Sequence, residues 1–476
     1  MKPLLINGER RAPAASRASV NPSDLSETVA TYALADAGDA HAAIDAAVEA
    51  QPRWRESTPQ QRHDILARAG AEVMARRDEI GRLLAREEGK TLREAVAETT
   101  RAAHILSFFA GEALRVRGER LASVRPGVEV ETLREPIGPV GIITPWNFPI
   151  AIPAWKVAPA LCYGNTVVLK PAELAPGCSW ELADILHRAG LPAGVLNFAY
   201  GPGSVVGEAI LDDPRIAAVT FTGSRATGER VAAACARHMR RCQLEMGGKN
   251  PLLILDDADL DVAVECALDG AFGSTGQRCT ASSRLIVQEG IHGRFVERLA
   301  ERMRGLRVGH ALDEATDMGP VVDADQIEQD LRYIEIARSE GGSLRSGGRM
   351  VERPTRGHFL EPTLFTDTDP SMTINREEVF GPVASVIRVR DYDEALHVAN
   401  DTPFGLSGGI CTQSLRHASH FKAHARVGMV MVNLPTAGVD YHVPFGGSKG
   451  SSLGPREQGP AAVEFFTQGK TAYTRP

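Results

Sequence analysis

The 476-residue chain contains no uninterrupted stretch of about 18 apolar residues, so no part of it reads as a helix that crosses a membrane. The apolar run near its start, Leu4-Leu5-Ile6, is too short for a signal-peptide core, and a cytoplasmic protein with no membrane partner is expected. Long basic tracts are also missing. Lys and Arg number 53 against 60 Asp and Glu, a formal net charge of -7, which argues against a surface that follows a phosphate backbone and so against nucleic acid as a partner. Cysteine is sparse: Cys162, Cys178, Cys235, Cys242, Cys266, Cys279 and Cys411 are odd in number and lack the close pairs of zinc or redox motifs. Reduced thiols and no bound metal are expected. Internal repeats and low-complexity linkers are absent as well.

The length exceeds what one hydrophobic core supports, so two or three domains are expected. From about 39 to 121, apolar residues recur at spacings of three and four, as in "RHDILARAGAEVMARRDEIGRLLARE", which predicts helices. The period then changes. "VEVETLREPIGPVGIITPWNFP" alternates before becoming a continuous apolar run, the pattern of a hairpin-like excursion followed by a strand buried on both faces. Short buried strands and helices then alternate: "NTVVLK" at 165–170, a helix near 179–189, "VLNFAYG" at 195–201, a helix after Gly203, "AAVTFTG" at 217–223 and a helix after Ser224. That order predicts a parallel sheet with helices on both faces. A second alternating region carries "PLLILDD", "SRLIVQ", "ASVIRVR" and "GMVMVN", and the tail "AAVEFFTQGKTAYTR" is aromatic and β-prone, far from any core it could complete alone.

Several short motifs sit where chemistry could occur, each with an ordinary reading beside the functional one. Gly201, Gly203 and Gly207 in "YGPGSVVG", and Gly223 and Gly228 in "FTGSRATG", lie at strand-to-helix turns where backbone N–H groups approach phosphates, although neither set has the G-x-G-x-x-G spacing. Lys170 ends an apolar strand with Glu173 three residues on, either a solvated strand end or a grip on ribose hydroxyls. Asn147 in "TPWNFP" is a turn asparagine or an amide donor to an oxyanion. Glu245 in "LEMGGKNP" is a surface glutamate or a general base on a glycine-flanked loop. Cys279 in "AFGSTGQRCTASSRLIV" is a small buried residue or a nucleophile on a displayed loop.

"TPWNFP", "VLKPAE", "FTGS", "LEMGGKNP", "GQRC", "EEVFGPV" and "PFGGSKGS" occur together, in this order, and by them the chain resembles the aldehyde dehydrogenase superfamily over nearly its whole length. The resemblance implies an α/β fold: a Rossmann-like dinucleotide-binding domain (1–115 and 138–246), an α/β catalytic domain (247–459) and a small β oligomerisation element (116–137 and 460–476) that makes a homodimer or homotetramer. It implies Cys279 as nucleophile, Glu245 as base for deacylation, Asn147 as oxyanion donor together with the backbone N–H of Cys279, and Lys156 as a lysine near the cysteine that assists proton movement. Trp146, Lys170, Glu173, Gly203, Gly223, Ser224, Glu378 and Phe380 match cofactor-binding positions for NAD, with NADP as an alternative. Glu173 would favour NAD by repelling a 2′-phosphate.

The implied reaction is oxidation of a small aldehyde to its acid through a cysteine thiohemiacetal and thioester. A cysteine hydrolase is the alternative of a different class, but none of the 13 histidines lies in a motif beside Cys279. An enzyme passing the thioester to coenzyme A usually lacks the base that Glu245 supplies. Succinate semialdehyde enzymes of the family commonly carry arginines where this chain has Trp155 and Gly273, which speaks against that substrate. Arg278, directly before the cysteine, together with Trp155 and Phe445, is expected on the substrate side, with Arg278 reading an anionic group unless a protein carboxylate pairs with it. The stretch "NLPTAGVDYHVPFGGSKGSSLGPREQG" is most similar to enzymes acting on 2-oxoglutarate semialdehyde (2,5-dioxopentanoate).

Overall fold

The computed structural model describes residues Met1–Pro476. Its first sheet has a parallel centre of five strands. They are Val140–Ile143, Val167–Lys170, Leu196–Phe198, Ala218–Thr222 and Arg241–Glu245, buried along nearly their whole length, as strands covered on both faces must be. Across the sheet the first-formed strand lies between the second and the fourth, so the winding reverses between Val140–Ile143 and Ala218–Thr222. A crevice opens at such a reversal, outside the carboxyl ends of the strands. Antiparallel strands close both edges: Ser452–Leu453 beside Arg241–Glu245, and Leu4–Ile6 with Glu9–Arg11 beside Leu196–Phe198.

The second sheet has six parallel strands in the order Thr363–Thr366, Val383–Val389, Arg284–Gln288, Pro251–Ile254, Ser407–Cys411 and Met429–Val432, with Ser343–Ser346 antiparallel at one edge. Met246–Asn250 runs directly from the last parallel strand of the first sheet into Pro251–Ile254. Residues just after strands of the first sheet therefore meet residues just before strands of the second.

The helical region resolves into Ala37–Arg55, Pro59–Ala75, Arg77–Glu88 and Leu92–Ala113. Helical structure ends at Ala113, earlier than the periodicity to 121 suggests. Residues Glu119–Ala122 instead form a strand with Glu129–Pro136 and Thr467–Thr474 in a separate antiparallel sheet. The aromatic tail divides its tasks: Phe465 and Phe466, in the short helix Val463–Phe466, pack into the main core, and only the residues after them extend. No helix is long and apolar enough to cross a membrane.

Candidate active site

The crevice at the winding reversal is built from strand ends. Ile143 leads into Pro145, Trp146 and Asn147; Thr222 leads into Gly223 and Ser224; Glu245 leads into Met246 and Gly247, and all of these except Ile143 and Glu245 line one cleft. Its opposite wall comes from the segment before Val383, where the Phe380 ring stands edge-on to Trp146 at 5.6 Å. Glu378 accepts a hydrogen bond from the Gly248 N–H at 2.8 Å, and a Cβ on Gly247 would lie 1.9 Å from Glu378 Oε2, so only glycine lets the carboxylate approach. One strand further along, Lys170 Nζ donates to the Pro171 carbonyl at 2.9 Å, and Glu173 accepts from the Gly203 N–H at 3.1 Å. The remaining oxygen of Glu173 pairs with Arg17 at 2.8 Å. Gln326 and Gln329, which also line the cleft, and Arg17 carried no signal in the sequence reading.

Cys279 stands on a loop whose backbone is fixed at many points. After the helix Leu260–Phe272, residues Ser274, Thr275 and Gly276 all take left-handed conformations, with φ of 48°, 58° and 66°. For the two non-glycine residues this is strained and has to be held from outside. The Ser274 N–H donates to Glu94 at 2.7 Å, Thr275 Oγ1 to the Gly319 carbonyl at 3.1 Å, and the Val322 N–H to Gln277 Oε1 at 3.0 Å. A Cβ at Gly276 would fall 2.2 Å from the Gly381 carbonyl oxygen. Asn147 Nδ2 donates to the Gln277 carbonyl at 2.9 Å, and Asn250 Nδ2 donates to the carbonyls of Cys279 at 2.7 Å and Ala281 at 3.0 Å. Asn250, in "GGKNP", was not singled out in the sequence, because an asparagine before proline looks like any turn residue.

The electrostatics favour neutral groups at rest. Burial pushes the Cys279 thiol well above its ordinary range, the charges of Glu378 and Glu245 push it further, and its own backbone N–H offsets this in part. Burial, then the neighbouring Glu457, holds Glu245 well above the usual carboxylate range, against a hydrogen bond from Ser452 Oγ at 2.6 Å. Glu378 is pushed up to about 7, again mainly by burial. Lys156 is fully buried, bound to Glu457 and, at 2.7 Å, to Thr220 Oγ1. Lys156 and Glu245 both stand outside the lining of the two cavities that Cys279 reaches; Lys156 is bound to Glu457 and lowers the proton affinity of Glu245, whose carboxylate is turned to Ser452.

The second cavity lies on the other side of the cysteine. The Trp155 and Phe445 rings form one wall, 5.4 Å apart and tilted by 32°. Arg278 reaches this wall with its charge already met: Nη2 lies 3.2 Å from Glu94 and Nη1 3.7 Å from Asp269. The condition under which the sequence pointed Arg278 at an anionic substrate, that no protein carboxylate pairs with it, is not fulfilled. A Cβ on Gly273 would sit 2.7 Å from Arg278 Nη2, so this guanidinium fills the space that a side chain at 273 would need. Cys279 and Ile152 line both the cleft and this second cavity, which puts the thiol where the two meet.

The pattern of the aldehyde dehydrogenase family matches residues 11–472. The chain belongs to that family. Among relatives of this aldehyde dehydrogenase, an alpha-ketoglutarate semialdehyde dehydrogenase of Haloferax volcanii is 46% identical over 95% of this chain and 94% of its own length. An alpha-ketoglutaric semialdehyde dehydrogenase of Bacillus subtilis is 44% identical over 96% and 94%. Betaine aldehyde dehydrogenase of Staphylococcus aureus, solved in complex with NAD+, superposes with a TM-score of 0.97 at 33% identity, covering 100% of this chain and 95% of that one. An NADP-dependent enzyme of Escherichia coli superposes at 0.96 with 34% identity, covering 100% and 98%. The α/β fold expected from the resemblance is thus that of solved family members.

Proposed function

We propose that this aldehyde dehydrogenase oxidises 2-oxoglutarate semialdehyde to 2-oxoglutarate with NAD(P), using Cys279 as nucleophile. The observation that carries the reading is the position of Cys279 between two cavities, one with a dinucleotide's chemistry and one with an aromatic wall. The names of the relatives support the choice of aldehyde. The cleft suits the cofactor: it lies at the winding reversal, offers backbone at Gly223 and Ser224, contains the buried, unpartnered hydroxyl of Thr222, and is flanked by the Trp146 and Phe380 rings. Lys170, Glu173 and Gly203 would hold the adenosine half, and Glu378 and Phe380 the nicotinamide half. NAD(P), when bound, brings a positively charged ring that favours the thiolate and takes the hydride released from the tetrahedral carbon.

Cys279 Sγ gives up its proton to water and attacks the aldehyde carbon, forming the C–S bond and an oxyanion. Asn147 spends one amide hydrogen on the Gln277 carbonyl and has the other free, and the Cys279 backbone N–H makes no hydrogen bond to another residue. These two donors stabilise the oxyanion. Loss of hydride leaves a thioester on Cys279. Glu245 in its ionised form takes a proton from water as that water attacks the thioester carbon; the C–S bond breaks, the acid leaves and the thiolate returns. Purified enzyme should form NADH from 2-oxoglutarate semialdehyde without coenzyme A, with higher kcat/KM than from succinate semialdehyde or betaine aldehyde. A higher value for either of those would contradict the substrate assignment.

Cofactor choice should be less one-sided than Glu173 alone suggests. Its carboxylate would repel a 2′-phosphate, yet Arg17 pairs with it and both side chains remain partly exposed. We expect NAD to be favoured only modestly. Arg17→Ala leaves Glu173 uncompensated and should raise the NAD-over-NADP ratio of kcat/KM by about fivefold or more, or about 1 kcal/mol in a solvated setting. An unchanged ratio would mean that the pair lies out of reach of the 2′ position.

The three-stranded sheet leaves Leu121, Leu133 and Tyr473 exposed, which supports its reading as the oligomerisation element of a homodimer or homotetramer.

A further inference from the structure

The helix Leu92–Ala113 begins with a capping box in which Thr91 and Glu94 satisfy each other's backbone N–H groups. Glu94, Ala97, Glu98 and Arg101 follow at the spacing i, i+3, i+4 and i+7, and this stripe lines the second cavity. The cavity's charged groups are nearly all accounted for. Lys90 pairs with Glu98 at 2.7 Å, and Glu98 also accepts from the Ile150 and Ala151 N–H groups at 3.1 Å each. Glu94 and Asp269 hold Arg278.

Arg101 is the exception. It forms no ion pair; its one hydrogen bond is from Nη2 to the neutral amide oxygen of Gln458 at 3.2 Å, and its Nε is buried without any partner. The guanidinium carbon lies 5.5 Å from the centroid of the Trp155 ring, the same ring that packs against Phe445 in the cavity wall. Of the carboxylates whose charge is felt at Arg101, Glu98 is held by Lys90 and Asp440 is exposed, and neither reaches it in an ion pair. A cation with its Nε buried and no ion pair, on the wall of a half-open cavity, is costly unless an anion arrives to meet it, and a planar fork of donors suits a carboxylate.

We propose that Arg101 is the specificity-determining residue that receives the distal carboxylate of the substrate, while Arg278 serves the loop before Cys279 through Glu94. This rests on the reading of the substrate as an anionic semialdehyde. Gln458 orients the guanidinium, and Trp155 holds its face, so the carboxylate end of a five-carbon chain is fixed while its aldehyde end meets Cys279.

The test compares kcat/KM for 2-oxoglutarate semialdehyde and for uncharged pentanal in the wild type, Arg101→Met, Arg101→Gln and Arg278→Met, with inhibition by glutarate as a second readout. Arg101→Met and Arg101→Gln should each lower the ratio of the anionic to the uncharged aldehyde by about 10- to 100-fold, mainly through KM, and weaken glutarate in parallel. Arg278→Met should lower both aldehydes alike. Residual pentanal oxidation reports the fold of each variant, and Arg101→Gln, which keeps a polar side chain beside Gln458, stands in if Arg101→Met is insoluble. A ratio preserved in the Arg101 variants, or lost only in Arg278→Met, would overturn the assignment. A wild type without preference for the anionic aldehyde would instead refute the substrate reading beneath it, so the two failures are distinguishable.

Discussion

Cys279→Ala should lose NAD(P)H formation by at least about 10,000-fold while still binding the cofactor, because no other group in the junction of the two cavities can form the covalent intermediate. Five of the other six cysteines are buried, and Cys242 lines neither cavity. Cys266→Ala is the matched control: Cys266 lies in a core cluster on the helix that leads to the Cys279 loop, and its loss should leave turnover within about twofold. Steady-state kinetics with both variants, alongside fluorescence titration of the cofactor, check the expectation. Equal losses in the two would mean that the helix and loop, rather than the thiol, were being measured.

Glu245→Gln should separate the two halves of the reaction. Hydride transfer needs the thiolate and the oxyanion donors, whereas hydrolysis needs a base for water, so the variant should release up to about one equivalent of NADH per site in a rapid burst and then slow by about 100- to 10,000-fold. The raised proton affinity of Glu245 adds a pH signature. Only the ionised carboxylate can accept the proton from water, so the hydrolytic rate of the native enzyme should rise with pH through a pKa above the usual carboxylate range, and that limb should vanish in Glu245→Gln. Stopped-flow absorbance across pH measures both. Normal steady-state turnover without a burst would remove Glu245 from the hydrolytic step.

Most of the parallel strands were legible because burial on both faces writes itself as continuous apolar runs, such as Val167–Lys170 and Ala218–Thr222, whereas Arg241–Glu245 and Thr363–Thr366, with polar residues among the apolar ones, were not announced. Ser16–Asn21 and Asp24–Ala33, largely exposed or half-buried, lack such a run, and with them Arg17 escaped notice. Ser407–Cys411, in "SGGIC", is buried although two of its residues have no side chain to announce it. Motif residues that share a cleft, including Trp146, Ser224, Glu378 and Phe380, came from family resemblance rather than from periodicity, since their strand ends are far apart in sequence. The resemblance also set Lys156 near the thiol, whereas the fold binds it to Glu457, outside the lining of both cavities. Arg278 drew attention by adjacency to Cys279, but adjacency along a chain says nothing about whether Glu94, 184 positions away, has already claimed the charge. Arg101 was not singled out in the sequence, because what marks it, the neutral partner Gln458 and the Trp155 ring, is brought to it only by the fold.

The central claim is that the aldehyde carbon becomes bonded to Cys279 Sγ. It is tested most directly by mixing Glu245→Gln with 2-oxoglutarate semialdehyde and NAD, quenching in acid and locating the adduct by peptide mass spectrometry. The account predicts a mass gain equal to the aldehyde less two hydrogens, confined to the peptide that carries Cys279 and formed only when NAD is present. An adduct on another cysteine, or NADH release with Cys279 unmodified, would contradict it.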